Sequence, residues 1–470
     1  MRLRLVSRIL RRKPIVSSHS YPHEILIAIF QNLLGPFYRY SSSFLDELPH
    51  DVFGSEFSDR YGIKFKQPDL IAAALVCKSW YIAAMDLLYT SPRTRTQRHL
   101  KGLKTALKRN PSFSTHVKGL TFSDDSELTL WIGIKYLLFR IEPDEGPPVP
   151  HLSRIHRILK ICPYIDTLTI LRTSRLFDEL LPLSSYFPLH IGLHQRLRVL
   201  VISKLYAASL ASISIIPGVE FSALEILQLR MLRIRDPIEA PPIEFPPTQT
   251  RFPRLRILQF AISAFFDEGI PDTMDITSHA FPRLDTLEFH SVSGYPRIEL
   301  SCLRQLRKLY MFDHDVPTDW WAGGHLDGIQ DLTLSCQFFS SSRVAELKTL
   351  SLPRGLRTLR FLSFSSSKYL SESCARPPTD PKELKDFETC ADWFLYQQSR
   401  FPSDLNTIEV LHCLEKPQPG SEGFDAFLAI LDRFEDICKK HGLIFRTVYR
   451  FSDELFRPEG KWMVDKEIFP

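Results

Sequence analysis

Apolar side chains recur at helical spacing in the first stretch that the sequence predicts to be ordered, YPHEILIAIFQNLL (21–34). Five of them form one broad stripe: Ile25, Leu26, Ile29, Phe30 and Leu33. Pro22 suits the first turn of a helix, because its missing N–H would have no partner there. Gly35 and Pro36 end the stripe, so we expect one short amphipathic helix.

A second helical stretch covers LIAAALVCKSWYIAAMDLLY (70–89). It follows Pro68, which can start a helix for the same reason as Pro22. The apolar spacing runs through the whole stretch, with a bend expected near Lys78. Between the two helices, residues 37–67 show no sustained periodicity, and we interpret them as a loop.

Two motifs therefore stand in order along the N-terminal part: P-x-E-I-L-x-x-I-F-x-x-L at 22–33 and D-L-x-x-x-x-L-V-C-K-S-W at 69–80. Together they resemble the F-box, a three-helix module that docks the small adaptor subunit of SCF-type, cullin-based ubiquitin ligases. Two features depart from that family. Tyr21 stands where Leu is usual, and the loop 37–67 separates the halves more widely than usual. The cost of closing a loop grows only slowly with its length, so the insertion is tolerable.

The resemblance implies which side chains contact the adaptor. They are Pro22, Ile25, Leu26 and Ile29 in the first half and Leu75, Val76, Cys77 and Trp80 in the second half. A helical module this small cannot bury every large apolar side chain, and an exposed apolar patch marks an interaction surface. The alternative for each of these residues is packing inside the module.

A different apolar spacing, L-x-x-L-x-L, recurs through the long remainder of the chain. Copies start at Ile165, Leu197, Leu224, Leu255, Leu284, Leu306, Ile329 and Leu356, with weaker copies at Val117 and Leu405. The segments FPRLRILQF (252–260) and FPRLDTLEF (281–289) also share the F-P-R that leads into the copy. We expect each copy to be a short strand whose alternate side chains enter a core.

This near-regular spacing resembles leucine-rich repeats, in which a strand and a return segment form one turn of a solenoid. The match is divergent, because most copies lack the usual Asn after the strand and the return segments are irregular. An ordinary β-sandwich is the alternative. The expected fold class is an α/β repeat, with an N-terminal three-helix F-box-like module followed by an irregular leucine-rich-repeat solenoid.

The expected organisation has five parts. They are a basic disordered arm (1–20), the F-box-like module with its inserted loop (21–92), a connector helix (93–116), the repeat domain (117–452) and a C-terminal tail (453–470). Late in the repeat domain, residues 382–400 and 423–442 predict helices and residues 443–451 predict a strand. Such a helix–strand pair would cover the open end of a solenoid.

Positive charge is concentrated near the N-terminus. Residues 1–120 hold 19 Lys and Arg against 8 Asp and Glu, although the whole chain carries only +5. Phe113 is the one Phe, Tyr or Trp in residues 93–118 and it follows the basic run, so no aromatic side chains are interleaved with the basic ones for base stacking. We interpret these residues as a cationic connector and expect no nucleic acid partner. The acid-free first twenty residues leave two alternatives open, a basic arm or a mitochondrial transit peptide.

Motifs of catalysis, metal binding and membrane insertion are missing from the sequence. We find no phosphate-binding glycine loop, no H-E-x-x-H and no G-x-S-x-G. The 8 cysteines form no C-x-x-C pair and have no histidines at zinc-ligand spacing. No apolar run is long enough to span a membrane. We therefore expect a protein that is not an enzyme, with reduced thiols, no metal, no cofactor and no membrane contact.

The leading hypothesis is the substrate-recognition subunit of an SCF-type ubiquitin ligase, cytoplasmic or nuclear. Its partners would be the SCF adaptor and, through it, a cullin, together with a target protein bound by the repeats. The alternative is a non-catalytic repeat scaffold with a degenerate F-box, outside any ubiquitin ligase.

Target contacts are expected on the inner, strand-lined face, at residues that alternate with the core leucines. These are Gln228, Arg230, Gln259, Glu288, His290, Tyr310, Arg360 and Glu409. An arginine also follows the first apolar residue of several copies, at Arg198, Arg256, Arg307 and Arg357. We interpret these arginines as a solvated edge.

Overall fold

A computed structural model of the chain describes residues 21–33, 72–90, 92–94, 97–123, 157–172, 193–203, 206–207, 220–234, 252–264, 275–291, 297–311, 320–321, 324–339, 350–362, 381–412, 423–450 and 462–468. The predicted arm 1–20 and loop 37–67 lie outside these residues.

Most of the described chain is helix or strand. The α-helices are α1 (His23–Leu33), α2 (Lys78–Thr90), α3 (Gln97–Arg109), α4 (Pro111–His116), α5 (Leu193–Arg196), α6 (Leu300–Gln305), α7 (Pro381–Gln397) and α8 (Phe424–His441). Residues 72–74 and 157–161 are also helical. Two 3-10 turns are Cys336–Phe339 and Gln398–Arg400.

The strands are β1 (Arg93–Thr94), β2 (Gly119–Ser123), β3 (Thr167–Arg172), β4 (Val199–Ser203), β5 (Tyr206–Ala207), β6 (Ile226–Ile234), β7 (Ile257–Ala264), β8 (Asp275–Ile276), β9 (Thr286–Ser291), β10 (Arg297–Ile298), β11 (Lys308–Met311), β12 (Asp331–Ser335), β13 (Thr358–Leu362), β14 (Thr407–His412), β15 (Ile444–Arg450) and β16 (Trp462–Ile468). All but β8 and β10 join one sheet, in the order β1-β2-β3-β4-β6-β7-β9-β11-β12-β13-β14-β15-β16, with β5 beside β6. Neighbours in the sheet are parallel except β15 and β16, which are antiparallel.

The fold is therefore α/β and is built on a parallel sheet whose strands follow the chain order. Parallel neighbours need a crossover, so the chain returns to the same end of the sheet between successive strands. The alternative of a β-sandwich is wrong, because sandwich sheets are antiparallel.

The predicted strands are confirmed. At each predicted copy of L-x-x-L-x-L, a strand begins two residues after the first apolar position; Leu255, for example, precedes β7. These first positions are all buried: Val117, Ile165, Leu197, Leu224, Leu255, Leu284, Leu306, Ile329, Leu356 and Leu405. Together with the inward leucines of the strands, they form one continuous core.

The repeated phenylalanines ahead of three copies stack on one another in that core. The ring centroids of Phe221 and Phe252 are 5.5 Å apart, and those of Phe252 and Phe281 are 5.2 Å apart. The three phenylalanines share the spacing F-x-x-L, which places one ring at the same position ahead of each of three neighbouring strands, so that these segments pack on one another.

The C-terminal helices and the strand after them are also confirmed. Helix α8 ends at Gly442, whose φ of +66° is a left-handed conformation that glycine adopts at low cost. Phe434 of α8 lies between Phe387 and Phe394 of α7, with centroids 5.7 and 5.3 Å away. The two helices therefore share one aromatic core.

Two predicted boundaries are wrong. Strand β1 lies inside the predicted connector and pairs with β2, so the sheet starts at Arg93 instead of residue 117. Strand β16 lies inside the predicted tail and pairs with β15. Both strands lie at the ends of the sheet and lack the repeated apolar spacing that predicts the other strands.

Candidate protein-docking surfaces

The N-terminal helices form a small unit with a core of its own. Its buried residues are Leu26, Phe30, Ala73, Ala74, Ala83, Ala84 and Leu87. The ring of Trp80 lies edge-on to Phe30, with centroids 5.1 Å apart. A polar contact of 3.3 Å between His23 Nε2 and Asp86 Oδ2 joins α1 to α2. These contacts hold the two half-motifs against each other.

The predicted bend near Lys78 is confirmed, and it falls on the apolar string of the second half-motif. The helical residues 72–74 are followed by a turn, and α2 starts at Lys78. In the turn, the N–H groups of Leu75 and Val76 donate to the carbonyls of the residues three positions earlier, at 3.0 and 3.1 Å. The helix is interrupted at these residues, and the side chains of Leu75, Val76 and Cys77 are exposed.

Most of the predicted adaptor contacts are exposed. They are Pro22, Ile25, Ile29, Leu75, Val76 and Cys77. The exposed fraction is between 42% and 61% for the four large aliphatic side chains among them, and Val76 is the most exposed. Ile25 and Ile29 lie one turn apart on α1, next to the buried stripe of Leu26 and Phe30. The unit thus presents aliphatic side chains from both half-motifs to solvent.

Two predicted contacts are placed differently. Leu26 is completely buried in the core of the unit, so its prediction as an adaptor contact is wrong. The apolar stripe on α1 is wide enough to supply both core and surface, and the sequence does not divide it. Trp80 is half-buried against Phe30 and combines a packing role with a partly exposed edge.

Cys77 is an exposed thiol at the start of α2. Its Sγ lies 3.2 Å from Ser79 Oγ. Burial raises the pKa of the Cys77 thiol, but hydrogen bonds from the Ser79 hydroxyl and from the backbone N–H groups of Trp80 and Ser79 outweigh it, and the net pKa is lowered. By contrast, burial raises the pKa of Cys162 to about 12. Cys77 is therefore the more reactive of these two thiols.

Most of the predicted target contacts share one row across the sheet. We call this the inner row; its members are Gln228, Gln259, Glu288, Tyr310, Thr333, Arg360, Glu409 and Arg446 on successive strands. Arg230 and His290 lie two residues further along their strands. The side chains of Gln228, Arg230 and His290 are outside the described set.

The middle of the inner row is not an open surface. Gln259, Glu288 and Tyr310 are buried, so the expectation of a solvent-facing target site is wrong for these three residues. Gln259 Nε2 donates to Glu288 Oε2 at 2.8 Å, and burial raises the pKa of Tyr310. The strand period identifies the face of the sheet to which a side chain belongs, but it does not show whether that face is covered.

The C-terminal part of the inner row is an ion-pair network. Arg360 Nε donates to Glu409 Oε2 at 2.5 Å, and Arg446 Nη1 donates to Glu409 Oε1 at 3.4 Å. Burial alone would lower the pKa of Arg360, but the nearby Glu409 carboxylate outweighs it, and the net pKa is raised. Arg360 and Glu409 are both largely buried, so each depends on the other for compensation of its charge.

A second row of charges lies at the start of the strands. We call it the edge row; its members are Lys118, Asp166, Arg198, Glu225, Arg256, Asp285, Arg307, Gln330, Arg357 and Asn406. From Asp166 onward, each backbone N–H in this row donates to the carbonyl of the preceding member, at 2.7–3.0 Å. Arg198 binds Glu225 through two hydrogen bonds of 2.9 Å, and Arg256 Nε binds Asp285 at 3.1 Å.

The sequence predicts the arginines of this edge but not their partners. The signal that could have found the partners is an acid at the same repeat position in intervening copies, as at Glu225 and Asp285.

Other kinds of site find little support in the described part of the chain. No group of three or more His, Cys, Asp or Glu residues there could hold a metal ion. The cysteines that the structure describes are all free. None of the described helices is long and apolar enough to cross a lipid bilayer.

Comparison with family models and with curated proteins identifies no match to the chain. No protein-family model matches it. The curated proteins likewise contain no match.

Proposed function

We propose that the chain is the substrate-recognition (F-box) subunit of an SCF-type ubiquitin ligase. Its N-terminal helical unit docks the adaptor, which links it to a cullin, and its sheet domain binds a target protein. Catalysis belongs to other subunits. This chain raises the effective concentration of the target near an activated ubiquitin and so accelerates transfer through proximity.

The observation that carries this proposal is the exposed aliphatic face of the helical unit. Ile25, Ile29, Leu75 and Val76 come from both half-motifs and are all exposed, although Leu26 and Phe30 beside them are buried. A protein that needed these side chains only for its own stability would bury them, since burying one large aliphatic side chain contributes about 1.5–3 kcal/mol. Exposed aliphatic side chains at these positions fit a protein partner.

The proposal for the sheet domain is a divergent leucine-rich-repeat solenoid. It is supported by strands that begin at a fixed distance from a buried apolar residue, by the parallel order of the sheet, and by one stacked phenylalanine in each of three successive turns. Such domains present rows of side chains to partners, and we expect a target to bind where those rows stay exposed, outside the buried middle of the inner row.

The test is a binding titration between the purified full chain and the purified SCF adaptor. We expect binding by the wild-type chain and a loss of well over tenfold in the variants Val76→Asp and Ile29→Asp. Leaving a carboxylate unpaired in an apolar interface costs several kcal/mol, and about 1.4 kcal/mol corresponds to tenfold in affinity. Both residues are exposed in the free chain, so both variants should fold.

Ile82→Asp is the matched control. Ile82 is an exposed aliphatic residue of α2 that is not among the predicted contacts. Its replacement should leave adaptor binding within about twofold of the wild type. A wild-type chain that is folded but does not bind the adaptor would contradict the proposal and favour the alternative of a repeat scaffold outside any ubiquitin ligase.

A further inference from the structure

The charges of the edge row alternate in sign over most of its length. From Lys118 to Arg307, each basic member is followed by an acidic one: Lys118, Asp166, Arg198, Glu225, Arg256, Asp285 and Arg307. Members are neighbours through their backbones, so each acid lies between two cations. The raised pKa of Arg198, caused first by its hydrogen bond to Glu225, reflects that arrangement.

The alternation stops at Gln330. Gln330 lies between Arg307 and Arg357, where the row would place the next acid. Asp285, on the other side of Arg307, already accepts hydrogen bonds from Arg256 and from the Thr286 hydroxyl. Among the described residues, no ion pair or hydrogen bond engages the guanidinium groups of Arg307 or Arg357. Both arginines are exposed.

We propose that an acidic segment of a partner protein docks here, with one carboxylate over Gln330 between Arg307 and Arg357. The partner's Asp or Glu would take the place that Glu225 and Asp285 hold earlier in the row. Neighbouring strands lie about 4.8 Å apart, so one carboxylate can reach guanidinium groups on both sides. Arginine also binds a carboxylate through two parallel hydrogen bonds, as Arg198 does with Glu225.

This site contributes more to the selection and orientation of a partner than to the affinity for it. Exposed ion pairs are individually weak, and charge complementarity acts mainly on encounter rate and specificity. The proposal goes beyond adaptor docking and does not depend on it, because the edge row belongs to the sheet domain. Its test therefore uses the full chain without the adaptor.

The experiment measures the fluorescence anisotropy of a labelled peptide of repeated Glu-Gly-Gly units. It compares two double variants that remove the same charge. Arg307→Gln with Arg357→Gln removes the unpaired arginines and should weaken binding about fivefold, the effect of two weak ion pairs. Arg198→Gln with Arg256→Gln removes arginines that already have partners and should change binding by less than about twofold.

A single substitution tests the position of the carboxylate. Gln330→Glu completes the alternation within the chain, so it should weaken peptide binding about as much as the first double variant. It should also raise the melting temperature by roughly 1–2 °C, because it adds an ion pair to the row. Ser399→Glu, which adds the same charge at another exposed position, should do neither.

Three results would overturn the proposal. Equal losses in the two double variants would show general charge attraction only. Unchanged peptide binding by Gln330→Glu would show that the carboxylate does not lie over residue 330. Preferential binding of a labelled oligothymidylate, lost in the Arg307 and Arg357 variant, would replace the protein partner with a nucleic acid.

Discussion

The stacked phenylalanines allow a quantitative test of how the segments that precede neighbouring strands of the sheet stabilise one another. Phe252 is the middle ring of three, and it contacts Phe221 on one side and Phe281 on the other. Replacing Phe252 with Leu keeps most of the buried apolar surface but removes both ring contacts. Replacing Phe281 with Leu removes one contact of this stack, the one with Phe252, and leaves the contact between Phe221 and Phe252 in place.

The magnitude follows from these contacts. An aromatic pair contributes about 0.5–1.5 kcal/mol beyond its burial, so Phe252→Leu should lower the free energy of unfolding by about 1–3 kcal/mol. Phe252→Ala also loses the burial and leaves a cavity, for a total of about 3–5 kcal/mol. In a double-mutant cycle, Phe252→Leu and Phe281→Leu should show a coupling of about 0.5–1.5 kcal/mol, since the second substitution finds the contact already lost.

Urea denaturation measures the overall loss of unfolding free energy. Hydrogen exchange at β6, β7 and β9 shows whether that loss is local, as we expect if each repeat contacts only its neighbours. Tyr21→Leu is the control, because Tyr21 is an exposed aromatic residue outside this stack and its replacement should cost less than about 0.5 kcal/mol. A loss below about 0.5 kcal/mol for Phe252→Leu, or no coupling between positions 252 and 281, would refute the reasoning.

Two further predictions concern the inner row and the helical unit. Glu409→Leu should lower the free energy of unfolding by about 2–4 kcal/mol, because it leaves the largely buried Arg360 without its carboxylate. Adding Arg360→Met should recover at least half of that loss. A double variant as unstable as the sum of its single variants would contradict this prediction. In the native chain, iodoacetamide at neutral pH should modify Cys77 faster than Cys162 or Cys302, since the pKa of Cys77 is lowered while burial raises those of the other two to about 12. Peptide mapping after timed labelling measures this order, and modification of either buried cysteine first would contradict it.

The sheet could be predicted from the sequence because one apolar pattern recurs in its core at near-regular spacing. A leucine such as Leu255 or Leu284 recurs with a fixed relation to its strand, and every predicted copy forms one. Membership of the inner row could also be predicted, because side chains alternate along a strand and this alternation determines the face of the sheet on which each one lies. This is why residues as distant in sequence as Gln259 and Glu409 can be assigned to one face of the sheet.

Burial of that face could not be predicted. Whether Glu288 or Tyr310 meets solvent depends on what packs over the sheet, and strand periodicity carries no information about that. The same limit applies to α1, where the adjacent apolar residues Leu26 and Ile25 are buried and exposed, respectively. The ion pairs of the edge row were missed for another reason: they join residues 27 to 29 positions apart, and only the register of the sheet brings them together.

The measurement that tests the central claim most directly is the rate of Cys77 alkylation with and without the SCF adaptor. Cys77 lies between Val76 and the start of α2, in the face that we propose the adaptor covers. At saturating adaptor, the account predicts that the rate falls about tenfold or more, because a bound partner shields the thiol. An unchanged rate at adaptor concentrations that saturate an established F-box protein would contradict the account.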